Sequence, residues 1–151
     1  MKVVCDEARH FLLLNAILEN KFSMTYSDIP VNKNILIDLA KTEESLLDRI
    51  AMISLTHEAK GLDAGPNLLK KFNKKSEEYD VLHLILREEK EHVQFGVKWF
   101  TEISSIVEPE STPKECFQSF CQRYGISYEG RLNSINKEDR IEAGFDLSWI
   151  M

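Results

Sequence analysis

Asp6-Glu7-Ala8-Arg9-His10 and Glu88-Glu89-Lys90-Glu91-His92 repeat one pattern: an acid, a second acid, two further residues, then an imidazole. On an α-helix, residues three apart share a face one turn apart. Glu7 with His10, and Glu89 with His92, therefore each aim a carboxylate and an imidazole at one point. Two such helices facing each other form the core of a carboxylate-bridged dinuclear iron or manganese centre.

Working outward, the first motif sits on a helix predicted from residue 2 or 3 to about Phe22, with Val3, Glu7, His10, Leu14 and Leu18 at helical spacing. No capping residue precedes it, so the chain reads as starting within an element. Ser23 to Asn34 is a linker turning at Tyr26-Ser27-Asp28-Ile29-Pro30, and Ile35 to Ala40 a short helical turn. Thr42 is the expected N-cap of the next helix, with Glu43 and Glu44 suiting its dipole. That helix follows the stripe Leu47, Ile50 or Ala51, Ser54, Glu58, Leu62, and Gly61, Gly65 and Pro66 are expected to end it, leaving Leu68 to Phe72 as a connector. The second motif lies on a helix from a Ser76 cap to about Ser104, whose inner face reads Leu82, Ile85, Glu89, His92, Gly96, Trp99. Gly96 suits close approach by another backbone. Thr112-Pro113-Lys114-Glu115 is a capping box with Pro at the first helical position, and that helix ends at Gly125. Asn136 opens a last short helix closed by Gly144; Ile126 to Ile135 carries no recognisable chemistry. The reading is all-α, one domain over 1–151, with a bundle core over 1–104 and a C-terminal helical extension over 112–151.

The bulk numbers agree. A chain of 151 residues can bury a core, and six Gly with four Pro suit long helices. The net charge of −6 argues against nucleic acid and anionic membranes as partners. Lys70-Lys71-Phe72-Asn73-Lys74-Lys75 reads as a solvated loop. Cys5, Cys116 and Cys121 have no metal-type spacing and read as reduced thiols of a cytoplasmic protein. No membrane span and no export signal are read.

The phase of the acids points to a metal more strongly than their spacing does. Glu7, Glu58 and Glu89 fall on the apolar stripes of separate helices. An unpaired buried carboxylate costs several kcal/mol, and a few would consume most of the ~5–15 kcal/mol that holds a domain together. Buried Lys or Arg, shared protons or a cation must compensate, and His10 and His92 on the same stripes favour the cation. Carboxylate with neutral imidazole suits iron or manganese better than structural zinc. Asp6 or Glu88 can accept the imidazole N–H of the opposing motif and fix its tautomer, with Arg9 balancing that acid. The alternative is an ordinary bundle whose Glu stems pack while their heads stay in water. His83, three residues after Asp80, falls on the opposite face from His92 and is read as surface; His57, about 100° round the helix from Glu58, is read as boundary.

With Asp6-Glu7-Ala8-Arg9-His10-Phe11, Glu58-Ala59-Lys60-Gly61-Leu62-Asp63 with Pro66, Glu89-x-x-His92-Val93 with Gly96 and Trp99-Phe100, and the Asn136 to Phe145 stretch, nearly the whole chain resembles the DUF455 family of the ferritin-like di-iron carboxylate superfamily. The resemblance implies a bundle whose helices supply, in order, a lone Glu, a Glu-x-x-His, a lone Glu and a second Glu-x-x-His. By it, Glu7 and Glu89 bridge two iron (or manganese) ions, His10 and His92 bind one each, and Glu58 is terminal. The chain departs in three places: Glu91 stands where the first motif has Arg9, Glu88 where Asp is expected, and Asn32 where the family carries His. The first bundle helix, with its Glu, has no counterpart, so three of the four core helices are present. A bundle short of one helix is expected to need a second copy, a helix from another chain, or its own segment after Thr112 (Phe117, Phe120, Phe145 to Met151) over the open groove. The implied function is an O₂- or peroxide-handling oxidoreductase or hydroxylase of unassigned substrate. The alternative is a truncated, non-catalytic remnant that binds metal weakly or serves as an interaction module.

Overall fold

A computed structural model of the chain describes residues 2–128 and 134–150. Met1, Met151 and residues 129–133 of the Ile126 to Ile135 stretch lie outside the described residues. The helices are α1 (Lys2–Phe22), α2 (Asn34–Lys41), α3 (Leu46–Met52), α4 (Ala59–Leu69), α5 (Glu77–Val107), α6 (Pro113–Tyr124) and α7 (Lys137–Glu142), with short 3₁₀ turns at Tyr26–Asp28 and Leu147–Trp149. A wide π turn, Ile53–Glu58, joins α3 to α4 in one continuous rod. The fold is all-α, with no strand among the described residues. No helix among them is long and apolar enough to cross a membrane.

α5 is the axis, and α1 and the α3–α4 rod both pack on it. α1 runs antiparallel to α5, since Lys2 pairs with Glu91 and Lys21 with Glu78. The rod is antiparallel too: Ser54 lies against Gly96 and Leu86 against Gly65. α1 and the rod are therefore parallel, which is why a long connection through α2 separates them. On the rod's side of α5 an open groove of about 480 Å³ runs over Glu58, Gly61, Leu68, Leu82, Ile85 and Glu89.

Two local expectations are corrected. The cap of α3 is Ser45, whose hydroxyl accepts the Asp48 N–H at 3.1 Å. Thr42 instead closes α2: its hydroxyl donates to the Asp38 carbonyl at 2.9 Å and accepts Arg49 Nε at 2.9 Å. The second correction is that α4 does not stop at Gly61, Gly65 or Pro66 but runs to Leu69. A proline inside a helix frees the carbonyl four residues earlier, here that of Leu62, and Asn136 Nδ2 donates to it at 3.3 Å. Gly65 is held in the helix by contact, because a Cβ there would lie 2.1 Å from Leu86 Cδ2. The other punctuation follows the sequence: Ser76, Thr112 and Asn136 cap α5, α6 and α7, and Gly125 and Gly144 take positive φ of 65° and 80°.

The core joins Leu47, Ala51, Leu55, Ala59 and Leu62 of the rod to Val93, Val97 and Phe100 of α5, and these to Phe117, Phe120, Phe145 and Trp149. Phe117 sits 6.0 Å from Phe100 and 5.7 Å from Phe145, ring centre to ring centre. The C-terminal segment thus packs mainly on the part of α5 after the second motif, not over the groove beside Glu58, contrary to one expectation. Aromatic stacking around Phe100 offers it more buried area there. Phe11 and Leu14 of α1 remain about half exposed (48% and 46%). Trp99, expected on the inner face, is 51% exposed, and Phe100 takes the inward place. Arg140 of α7 is fully buried and forks onto Asp63 of α4, Nε to Oδ1 at 2.9 Å and one terminal nitrogen to Oδ2 at 2.7 Å.

Candidate metal centre

The two repeated motifs meet across the α1–α5 contact, with the His10 and His92 ring centres 5.9 Å apart. Each imidazole is held by the leading acid of the other motif. His10 Nε2 lies 2.8 Å from Glu88 Oε2, and His92 Nε2 lies 3.3 Å from Asp6 Oδ2. One Arg9 nitrogen reaches both acids, at 2.9 Å from Asp6 and 2.6 Å from Glu88. The hydrogen bond from His92, with the Arg9 charge, holds Asp6 below the usual carboxylate range. Burial pushes Glu88 upward, but the bonds from His10 and Arg9 outweigh it and leave its carboxyl low. An ionised carboxylate only accepts, so the imidazole proton in both rings is assigned to Nε2. Both Nδ1 lone pairs then turn inward.

Those inward atoms converge on carboxylate oxygens. Glu7 Oε1 lies 3.0 Å from His92 Nδ1 and 3.5 Å from His10 Nδ1. Glu89 Oε1 lies 3.7 Å from His10 Nδ1, and its Oε2 lies 4.0 Å from His92 Nδ1. His10 Nδ1, His92 Nδ1 and Glu58 Oε2 are buried without a hydrogen-bond partner. A lone pair facing a carboxylate oxygen is repulsive unless a proton or a cation lies between them. Burial, then the charges of Glu7 and Glu58, pushes the Glu89 carboxyl up to about 8. Burial also raises Glu58, which a hydrogen bond from Ser54 partly offsets. Donor atoms of Glu7, Glu89 and His92 all lie within 4.8 Å of one another. An ion bound at ~2.0–2.2 Å from each donor would bridge a gap of that order. The donor set and its orphaned buried atoms could hold a metal ion.

The structure brings Glu7, His10, Glu89 and His92 together at the α1–α5 contact, with Glu58 reaching in electrostatically from the rod. Glu7 is not in a dry interior as expected: its side chain is 49% exposed, because α1 is covered only on the α5 side, and the buried acid of its motif is Asp6. His57 pairs with Asp38 at 3.0 Å, and His83 is exposed and stacked on Tyr79, both as the sequence suggested.

Sequence reading missed the wide turn and the hydrogen bond from Ser54, which it placed on the same stripe, to Glu58. A single 3.6-residue stripe groups Leu47 and Ala51 with Ser54 and Glu58. In the structure the rod has two faces, Ala51, Leu55 and Ala59 fully buried in the core, and Ser54 and Glu58 half-buried toward the motifs. The four-residue intervals Leu47, Ala51, Leu55, Ala59 were the available signal.

The family model described as "Protein of unknown function (DUF455)" matches residues 1–151. An uncharacterized protein of Haemophilus influenzae is 30% identical over 156 aligned residues, covering 99% of this chain and 52% of its own length. The chain thus spans about half the length of the curated relative it matches. No solved structure matches it. The chain belongs to the DUF455 family.

Proposed function

We propose that this member of the DUF455 family is a ferritin-like dinuclear iron (or manganese) carboxylate protein, folded as one domain over 1–151 and acting in the cytoplasm as an O₂- or peroxide-handling oxidoreductase or hydroxylase. The observation that carries the proposal is the convergence of two partnerless buried atoms, His10 Nδ1 and His92 Nδ1, on the Glu7 and Glu89 carboxylates, with the buried, partnerless Glu58 Oε2 on the neighbouring rod. In this reading Glu7, His10, Glu58, Glu89 and His92 would hold the ions. Two ferrous ions held there would supply O₂ or peroxide binding and one-electron redox chemistry. Asp6 and Glu88 keep both imidazoles in the ligating tautomer, and Arg9 offsets their charge. Burial and the Glu7 and Glu58 charges favour the protonated Glu89 carboxyl, which would have to give up that proton to ligate a cation. A further helix over the groove beside Glu58 would supply the remaining acid; membranes and nucleic acid have no part.

A second reading, a non-catalytic module that binds metal weakly, is favoured by the exposure of Glu7 and the open groove over Glu58. Anaerobic ferrous titration followed by metal analysis and oxygen-electrode assay separates the two. Two irons per chain with oxygen uptake supports the enzyme. Protein that stays metal-free after loading leaves only the module.

A further inference from the structure

The rod α3–α4 carries a feature that the ligand set alone does not explain. Leu47, Ala51, Leu55 and Ala59 all enter the core, spaced four apart. At 3.6 residues per turn each such step overshoots by about 40°, so the run would slip about 120° off its face. The wide turn Ile53–Glu58 takes up that slip, with the Ala59 N–H reaching back to the Ser54 carbonyl, five residues earlier. A threonine hydroxyl in an α-helix reaches the carbonyl three or four residues back. That of Thr56, 1% exposed, reaches five back to Ala51 at 2.9 Å, a contact that only the widened turn provides. From outside, α5 fits the turn closely: Gly96 faces Ser54, and a Cβ there would lie 2.2 Å from Ser54 Cβ. Glu58 is the last residue of the turn, so its azimuth is set by how tightly the turn is wound.

We propose that Thr56 is a positioning residue: its hydroxyl, locked on the Ala51 carbonyl, keeps the turn wide and so keeps Glu58 aimed at the Glu7–Glu89–His92 cluster. A regularly wound helix would swing Glu58 away and leave the three-donor cluster on α1 and α5 as a weaker site. The ligand role of Glu58 rests on the metal reading above; the lock on the turn does not.

The test compares the parent with Thr56→Val, which keeps the shape and loses the hydroxyl, with Thr56→Ser, which keeps the hydroxyl, and with Glu58→Gln. Cobalt(II) titration followed by visible absorption reads the site, and amide hydrogen exchange over Ile53–Ala59 reads the turn. Thr56→Val should weaken uptake by about 10–100-fold, as loss of an orienting contact does. It should match Glu58→Gln in this, speed exchange across the turn, and leave the melting temperature near that of Thr56→Ser, which behaves as parent. Thr56→Val titrating like parent overturns the proposal. Should the parent itself take up no cobalt, the metal reading falls and exchange decides alone: faster exchange in Thr56→Val but not Thr56→Ser supports the lock, and equal exchange overturns it.

Discussion

Replacing Glu89 by Gln should stabilise the metal-free protein at alkaline pH and destroy its response to metal. Burial and the charges of Glu7 and Glu58 raise the Glu89 carboxyl from 4.5 to about 8. The native state therefore holds this proton more tightly than the unfolded chain does. Stability attributable to the group is unchanged below about pH 4.5, declines as pH rises through the interval, and is fully lost above about pH 8. Converted at 1.36 kcal/mol per pH unit, the shift would be worth roughly 4–5 kcal/mol. Glu89 shares its repulsion with Glu7, which is half in water, so roughly 2–3 kcal/mol is the working figure. In a chain of this size that is a melting shift of about 4–12 °C. The assay is calorimetry of chelator-treated protein from pH 5 to pH 8.5, with and without manganese(II). Parent protein should lose stability across the range and regain it with metal. Glu89→Gln should lie above the parent at pH 8, match it near pH 5, and ignore the metal. A parent whose melting temperature is flat over this range, and equal to that of Glu89→Gln, would refute the reasoning.

Two further outcomes follow from packing. Gly96→Ala puts a methyl 2.2 Å from Ser54 Cβ, and such overpacking should cost about 1–3 kcal/mol, read by urea unfolding, with Gly61→Ala, where nothing lies within 4 Å, as the unperturbed control. Asp63→Ala strands the fully buried Arg140 guanidinium and should cost about 3–5 kcal/mol; a denaturation midpoint equal to the parent's would mean that α7 is not held to α4 by this pair.

Much of this molecule can be read from its residues, and the failures have specific causes. The paired motifs, the caps at Ser76, Thr112 and Asn136, and the glycine stops at 125 and 144 are local signals, and local chemistry decides them. The end of α4 escapes local reading because the Leu62 carbonyl that Pro66 frees is met by Asn136, 74 residues further along the chain, which no local window contains. Thr42 looked like a cap because its hydroxyl and the acids after it match the pattern, yet Arg49 recruits that hydroxyl to the end of α2. The expected burial of Glu7 assumed cover on every side of α1. The wide turn was legible in principle from the four-residue beat of the core positions, but a reader assuming uniform winding assigns those positions to the wrong face.

Arg9 is a single cation tied to two acids, and each of those acids orients the imidazole belonging to the opposite motif. His10 and His92 are therefore not independent entities: whatever loosens one guanidinium disturbs both rings together. Substitutions scattered over the two motifs should then fail to sum, each one forfeiting much of what the next would have taken away, and the pair is best treated as one cooperative unit with a shared hinge pin.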